Sequence, residues 1–135
     1  MPFALRPAAV LAVGLWASAG AAQQIDCAAA VAQVELTWCA EQDYLRADAE
    51  LNAAYAAAVA AARQMDAAGG AGAVPVAEML RDAQRAWIPF RDAACAAEAQ
   101  VARGGSIMGQ ITHQCLARVT RGRTLDLTIF ARGLQ

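Results

Sequence analysis

The sequence predicts an all-α fold: a small antiparallel helical domain of about three main helices plus a short N-terminal helical turn, with two disulfides. Three observations point there. Apolar residues recur at helical spacing in three long stretches separated by glycine-containing breaks, and strand-period alternation is not evident in any of them. Those stretches are rich in alanine, the residue with the most favourable helix propensity. The chain also has four cysteines, an even number that suits paired disulfides in an exported protein.

The N-terminus carries the export reading. Arg6 precedes an apolar run from Ala8 to Ala19 that is shorter than the roughly 20 residues a membrane span requires. Small residues follow, and cleavage after Ala21 or Ala22 is expected. Residues 1–22 thus read as a signal peptide and 23–135 as a single helical domain of about 113 residues, enough for one core. Gln24, Ile25 and Asp26 separate the small residues from Cys27, so no lipid or membrane anchor is expected.

The first long helix is expected from about Val34 to Met65, with Tyr44, Leu51, Tyr55 and Val59 in helical spacing. The Gly/Ala stretch from Ala67 to Ala73 ends it. Pro75 suits the first turn of a second helix running to about Ala102, with Leu80, Gln84, Trp87, Arg91, Cys95 and Glu98 on one stripe. Within it, Pro89 removes one helical hydrogen bond and is expected to kink the helix. Arg103, Gly104, Gly105 and Ser106 make the next turn. A third helix, roughly Met108 to Ala131, places Ile111, Cys115, Val119, Gly122, Leu125 and Ile129 along one face.

This layout favours one cysteine pairing. Cys95 and Cys115 are each ten residues from Gly105, so helices folding back at that glycine bring them together. Cys27 and Cys39 then pair by elimination, although they cannot share one straight helix, where they would stand about 18 Å apart against a limit near 7 Å. A short helical turn near Ala28 to Ala32, folding back at Gln33 and Val34, resolves this. The other two connectivities remain open on sequence grounds. No Cys-x-x-Cys pair exists, which argues against a redox dithiol or a thiolate zinc site.

Arg91 sits on the stripe that faces the core and needs a partner, because an unpaired buried charge is costly. Asp48, Leu51, Asn52 and Tyr55 share one face of the first helix, so Asp48 is the natural partner and Asn52 and Tyr55 complete a polar network. A pair that fixes helix register is favoured here over a ligand site. His113 is the only histidine and lacks a second imidazole for a metal. No convergent pair of carboxylates stands out, so neither an enzyme, a cofactor nor a metal is expected. The glycine turn has no preceding strand, and a chain without lysine cannot supply a phosphate-loop lysine.

Charge is unevenly spread. Glu35, Glu41, Asp43, Asp48 and Glu50 face only Arg46 between residues 35 and 50, whereas Arg118, Arg121, Arg123 and Arg132 face only Asp126 between 118 and 132. Helix-end preferences account for part of this, and the sharper reading is an acidic surface that steers towards a cationic protein. Once residues 1–22 are removed, the acids outnumber the arginines by about two, so bulk nucleic-acid binding is not expected.

Ala83-Gln84-Arg85-Ala86-Trp87, followed by Phe90-Arg91-Asp92 and Cys95, resembles the signature of the LprI-like lysozyme-inhibitor domain family. Cys27 and Cys39, the run Asp48-x-x-Leu51-Asn52-x-x-Tyr55, and Cys115-Leu116 followed by Thr120, Arg123, Thr124 and Leu127 extend the resemblance over almost all of residues 23–135. It implies a periplasmic or secreted helical domain whose partner is a lysozyme-type muramidase. The missing lipidation cysteine and Pro89 depart from that pattern. The resemblance transfers no contact residues, so the partner surface is read from the acidic first helix and the glycine turn: Glu41, Asp43, Glu50, Arg103 and Ser106. The alternative is a periplasmic adaptor or ligand-binding module in which the region of Trp87 and Tyr55 lines a groove.

Overall fold

The computed structural model describes residues 25–69 and 74–133, in which three α-helices are joined by turns and no strand occurs. The proposed signal segment and the middle of the Gly/Ala connection lie outside the described residues. Helix α1 spans Gln33–Ala67, α2 Val76–Glu98 and α3 Met108–Arg132; a 3-10 turn, Ala99–Ala102, extends α2. All three long helices therefore stand where the sequence places them, within a few residues.

A single hydrogen-bonded turn makes the N-terminal fold-back. The Ala29 N–H donates to the Asp26 carbonyl and the Ala28 N–H to the Asp26 carboxylate, turning the chain beside Cys27. Ala32 has no side chain with which to cap α1. Glu35 instead reaches back and accepts from the N–H groups of Val31 and Ala32, the return half of a capping box.

Helix α1 buries Ala40, Ala47, Leu51, Ala58 and Ala62. Their spacing of seven, four, seven and four residues averages about 3.67 per turn, close enough to the α-helical period to keep one stripe on one side over a long rod. Because the stripe is mostly alanine, α3 can approach closely. A Cβ built on Gly109 of α3 would stand 3.1 Å from the Thr37 methyl of α1, a tight contact that any larger residue could make only if Thr37 shifted by a few tenths of an ångström. The side chains of Gln33 and Gln110 meet at the two N-termini, and those of Asp43 and Arg121 meet further along. Helices α1 and α3 therefore run parallel, with α2 antiparallel to both.

The inner face of α3 differs from the expected one. Its buried residues are Cys115, Ala117, Thr120 and Leu127, whereas Leu125 and Ile129 of the expected stripe are exposed. The row is set by close packing on alanine, which selects small residues rather than the most apolar ones. The half-buried Thr124 and Thr128 beside this row return their hydroxyl protons to carbonyls four residues back in the same helix, whereas the buried Thr120 hydroxyl has no partner among the described residues.

In α2, Leu80, Gln84, Arg91 and Cys95 are buried as the stripe requires, while Glu98 is exposed and pairs with Arg118. Pro89 lies inside α2 at an exposed position, as does Arg85, whose carbonyl loses its helical partner. The first turn of α2 is capped from another helix: the Asp66 carboxylate of α1 accepts from the N–H groups of Val76 at 2.7 Å and Ala77 at 3.1 Å.

Both expected disulfides are present, Cys27–Cys39 and Cys95–Cys115. They lie towards one end of the bundle. The apolar cluster of Leu51, Ala58, Ala62, Leu80 and Leu127, with Tyr55, Val59, Trp87 and Phe130 packed on it, fills the other.

Candidate partner-binding site

Arg91 occupies the middle of the bundle. Its side chain is 8% exposed, with Nη1 3.3 Å from Asp48 and Nε 2.8 Å from Asp92, and its guanidinium lies over both the Tyr44 and Trp87 rings. Asn52 donates to the second oxygen of Asp48. Asp48, Asn52 and Arg91 thus come together. Tyr55 makes no described hydrogen bond to them and packs on the apolar cluster. Tyr44 takes the aromatic place instead. Its spacing of four from Asp48 could have shown this, whereas adjacency gave no signal for Asp92, since neighbours in a helix do not face each other.

Burial is the largest influence on Arg91 and disfavours its charge, but the Asp92 hydrogen bond together with the nearby Tyr44, Asp92 and Asp48 outweighs it, so its affinity for the proton is raised. The Tyr44 phenol is also raised above its ordinary value, chiefly by burial, with Arg91 opposing. No open cavity adjoins this cluster among the cavities described. Its geometry serves to join α1 to α2.

The charge asymmetry of the sequence largely disappears in space. Because α1 and α3 run side by side in parallel, Arg121 of α3 reaches an acid of α1, contacting Asp43 at 2.7 Å, and Arg46 of α1 itself approaches the same oxygen at 3.1 Å; Arg118 and Arg123 turn instead to Glu98 and Gln84 of α2. The Arg121 hydrogen bond holds the Asp43 carboxyl below the usual range. Glu35 caps α1 and Asp48 holds Arg91. Of the expected contact acids, Asp43 is therefore engaged internally, while Glu50, two turns further along α1, is exposed. Arg103 donates to Gln100 within its own turn.

Glu41 and Ser106 do meet at an open groove. It has a volume of about 430 Å³ and is lined by Gln33, Val34, Thr37, Trp38, Glu41 and Ser106. Val34, Trp38 and Glu41 are spaced by four and three on α1 and so share a face; the turn that precedes α3 supplies Ser106. Val34 is 74% and Trp38 36% exposed, and the neighbouring Val31 and Ile107 are exposed too. Among the described residues Glu41 has no ion-pair or hydrogen-bond partner. Trp38 is not among the residues expected from the sequence, although its helical spacing between Val34 and Glu41 is a readable signal.

Neither of the described cavities is lined by Trp87 or Tyr55, whose half-buried rings pack on the apolar cluster. Exposed apolar side chains instead mark the outer side of α2, where Met79 and Phe90 (64% exposed) face solvent. No described helix is long and apolar enough to cross a membrane, and no group of His, Cys, Asp and Glu among the described residues could hold a metal.

Comparison with known proteins places this architecture. Residues 26–127 match the family described as Lysozyme inhibitor LprI, a span containing both disulfides, α1, α2 and most of α3. The chain is also 44% identical over 131 residues to the uncharacterized protein R02472 of Rhizobium meliloti (strain 1021), with 92% of each chain covered. No solved structure matches.

Proposed function

The chain belongs to the lysozyme inhibitor LprI family, and from that membership we propose that it is an exported envelope protein that inhibits lysozyme by protein–protein binding. The single observation carrying this reading is the family match across residues 26–127. Export to the periplasm or beyond, with residues 1–22 removed as a signal peptide and 23–135 forming one domain, fits two disulfides that need an oxidising compartment. The protein acts by occupying a surface, without turnover, cofactor or metal.

The contact surface is the disulfide-bearing end of the bundle, where Glu41 and Ser106 line one groove beside Trp38. Exposed apolar side chains next to an unpaired carboxylate suit a protein partner better than a small molecule, since the groove is open along its length. Asp43, Glu50 and Arg103 lie outside its lining and belong to the rim. The test is a titration of peptidoglycan lysis by lysozyme against oxidised protein, with a reduced control. Lysis falls towards zero at saturation with the oxidised protein; undiminished lysis there sinks the reading.

A second reading, a periplasmic adaptor, draws on the exposed Met79 and Phe90 of α2. A partner whose retention is lost in Phe90→Asp, with lysozyme unaffected by the wild type, would favour it.

A further inference from the structure

Arg91 shows what this protein uses to hold a guanidinium: an aromatic face and a carboxylate, here Trp87 and Tyr44 with Asp48 and Asp92. The same combination occurs in the open groove nearer the N-terminus of α1, where no arginine or histidine is among the lining residues. Trp38 presents an exposed indole, and Glu41, one turn further along the same face, has no partner among the described residues. The remaining polar lining is rich in acceptors. Gln33 uses its amide N–H groups on Gln110 and Thr37, and the Thr37 hydroxyl donates to the Gln33 carbonyl, which leaves the Gln33 amide oxygen and the Ser106 hydroxyl facing no described donor.

We infer that the groove is a receptor for an arginine side chain projecting from a basic partner protein. The guanidinium stacks on Trp38 and pairs with Glu41, while its outer N–H groups reach Gln33 and Ser106; the exposed Val34 covers the aliphatic stem. Charge complementarity selects this occupant. Glu41 is the acid lining the groove, no arginine or histidine lines it, and its other walls are apolar or accept hydrogen bonds. An acidic or purely apolar side chain would leave Glu41 desolvated without a partner, at a cost. A planar guanidinium satisfies several acceptors at once, whereas a lysine ammonium is a point charge that stacks less well.

This inference rests on the proposed lysozyme reading for the identity of the partner, but the groove can be tested apart from it. In the first arm, the indole N–H resonance of Trp38 in the oxidised full chain is followed by NMR as Nα-acetyl-arginine amide is added. The neutral isostere Nα-acetyl-citrulline amide serves as control. A saturable shift with the arginine compound, at least fivefold smaller with citrulline and lost in Glu41→Gln, is the expected result. In the second arm, Glu41→Gln and Trp38→Ala each raise the concentration for half-inhibition of lysozyme at least tenfold, while Asp82→Asn, which removes a charge of the same sign on α2, leaves it unchanged.

Circular dichroism and melting of each variant identify any that have lost the fold; Trp38→Leu, which keeps apolar bulk but removes the aromatic face, then replaces Trp38→Ala. No lysozyme inhibition by the wild type, with the arginine response intact, overturns the lysozyme reading and leaves the groove standing. Inhibition unchanged in folded Glu41→Gln, with Trp38 indifferent to arginine, overturns the groove and leaves the lysozyme reading standing.

Discussion

Two carboxylates hold Arg91, and that redundancy governs what a single substitution does. Asp48 approaches from α1 and Asp92 from within α2, so removing either leaves the buried guanidinium one charge partner. Asp48→Ala or Asp92→Ala alone should therefore cost about 1–2 kcal/mol, below the cost of stranding a buried ion. The double variant should lose about 3–5 kcal/mol, more than the sum of the singles, because only then is the charge unpaired. Urea denaturation of all four proteins measures the coupling, and simple additivity would show that water already satisfies Arg91. Thr120 supplies the opposite case. It is fully buried, and its hydroxyl has no hydrogen-bond partner among the described residues. Thr120→Val keeps the shape and removes the unsatisfied group, so stability should rise by about 1 kcal/mol, read as a higher denaturation midpoint with an unchanged slope. A fall would mean that the hydroxyl is satisfied in solution.

At the scale of elements, the boundaries were legible and the faces only partly so. Glycine and proline punctuate the chain where the helices end, and the symmetric placement of Cys95 and Cys115 about Gly105 favoured the antiparallel pair that the structure shows. The inner row of α3 was not legible, since close packing against the alanines of α1 rewards Ala117 and Thr120 while leaving Leu125 outside. Hydrophobicity ranks those residues in the reverse order. The charge pattern misled for a related reason: segments far apart in sequence lie side by side, and Asp43 meets Arg121. The groove was half legible, through Glu41 and Ser106, because the meeting of α1 with a distant turn leaves no local signal. The cap on α2 is also non-local. Asp66 holds two N–H groups across the glycine-containing connection, so Asp66→Ala should cost about 1 kcal/mol. The change should appear as faster hydrogen exchange confined to the first turn of α2; unaltered exchange there would show that water caps the turn equally well.

Over the whole molecule, the division between a packed end and a disulfide-bearing end predicts that stability and binding separate. Cys95 and Cys115 are buried and join α2 to α3, whereas Cys27 is exposed and ties only the short N-terminal segment to α1. Loop closure alone assigns each disulfide about 3 kcal/mol. That figure applies in full only where the native state stays ordered without the bond. Without Cys27–Cys39 the segment before Gln33 can fray in the folded protein as well, regaining the entropy that the unfolded chain gains. Replacing both of these cysteines by serine should then lower Tm by only a few degrees. Replacing Cys95 and Cys115 by alanine should lower it by roughly 10–20 °C, since the helices they join remain packed at the other end and cannot fray apart. Binding should follow the reverse order below the melting range. The fold-back carrying Val31 lies beside Val34 and Trp38, so its release should weaken lysozyme inhibition severalfold while the bundle stays folded. Mild reductant provides the same test without mutation: exposed Cys27–Cys39 should open first, and inhibition should fall before helical circular dichroism does. Simultaneous loss of both signals would mean that the two ends of the molecule unfold as one unit.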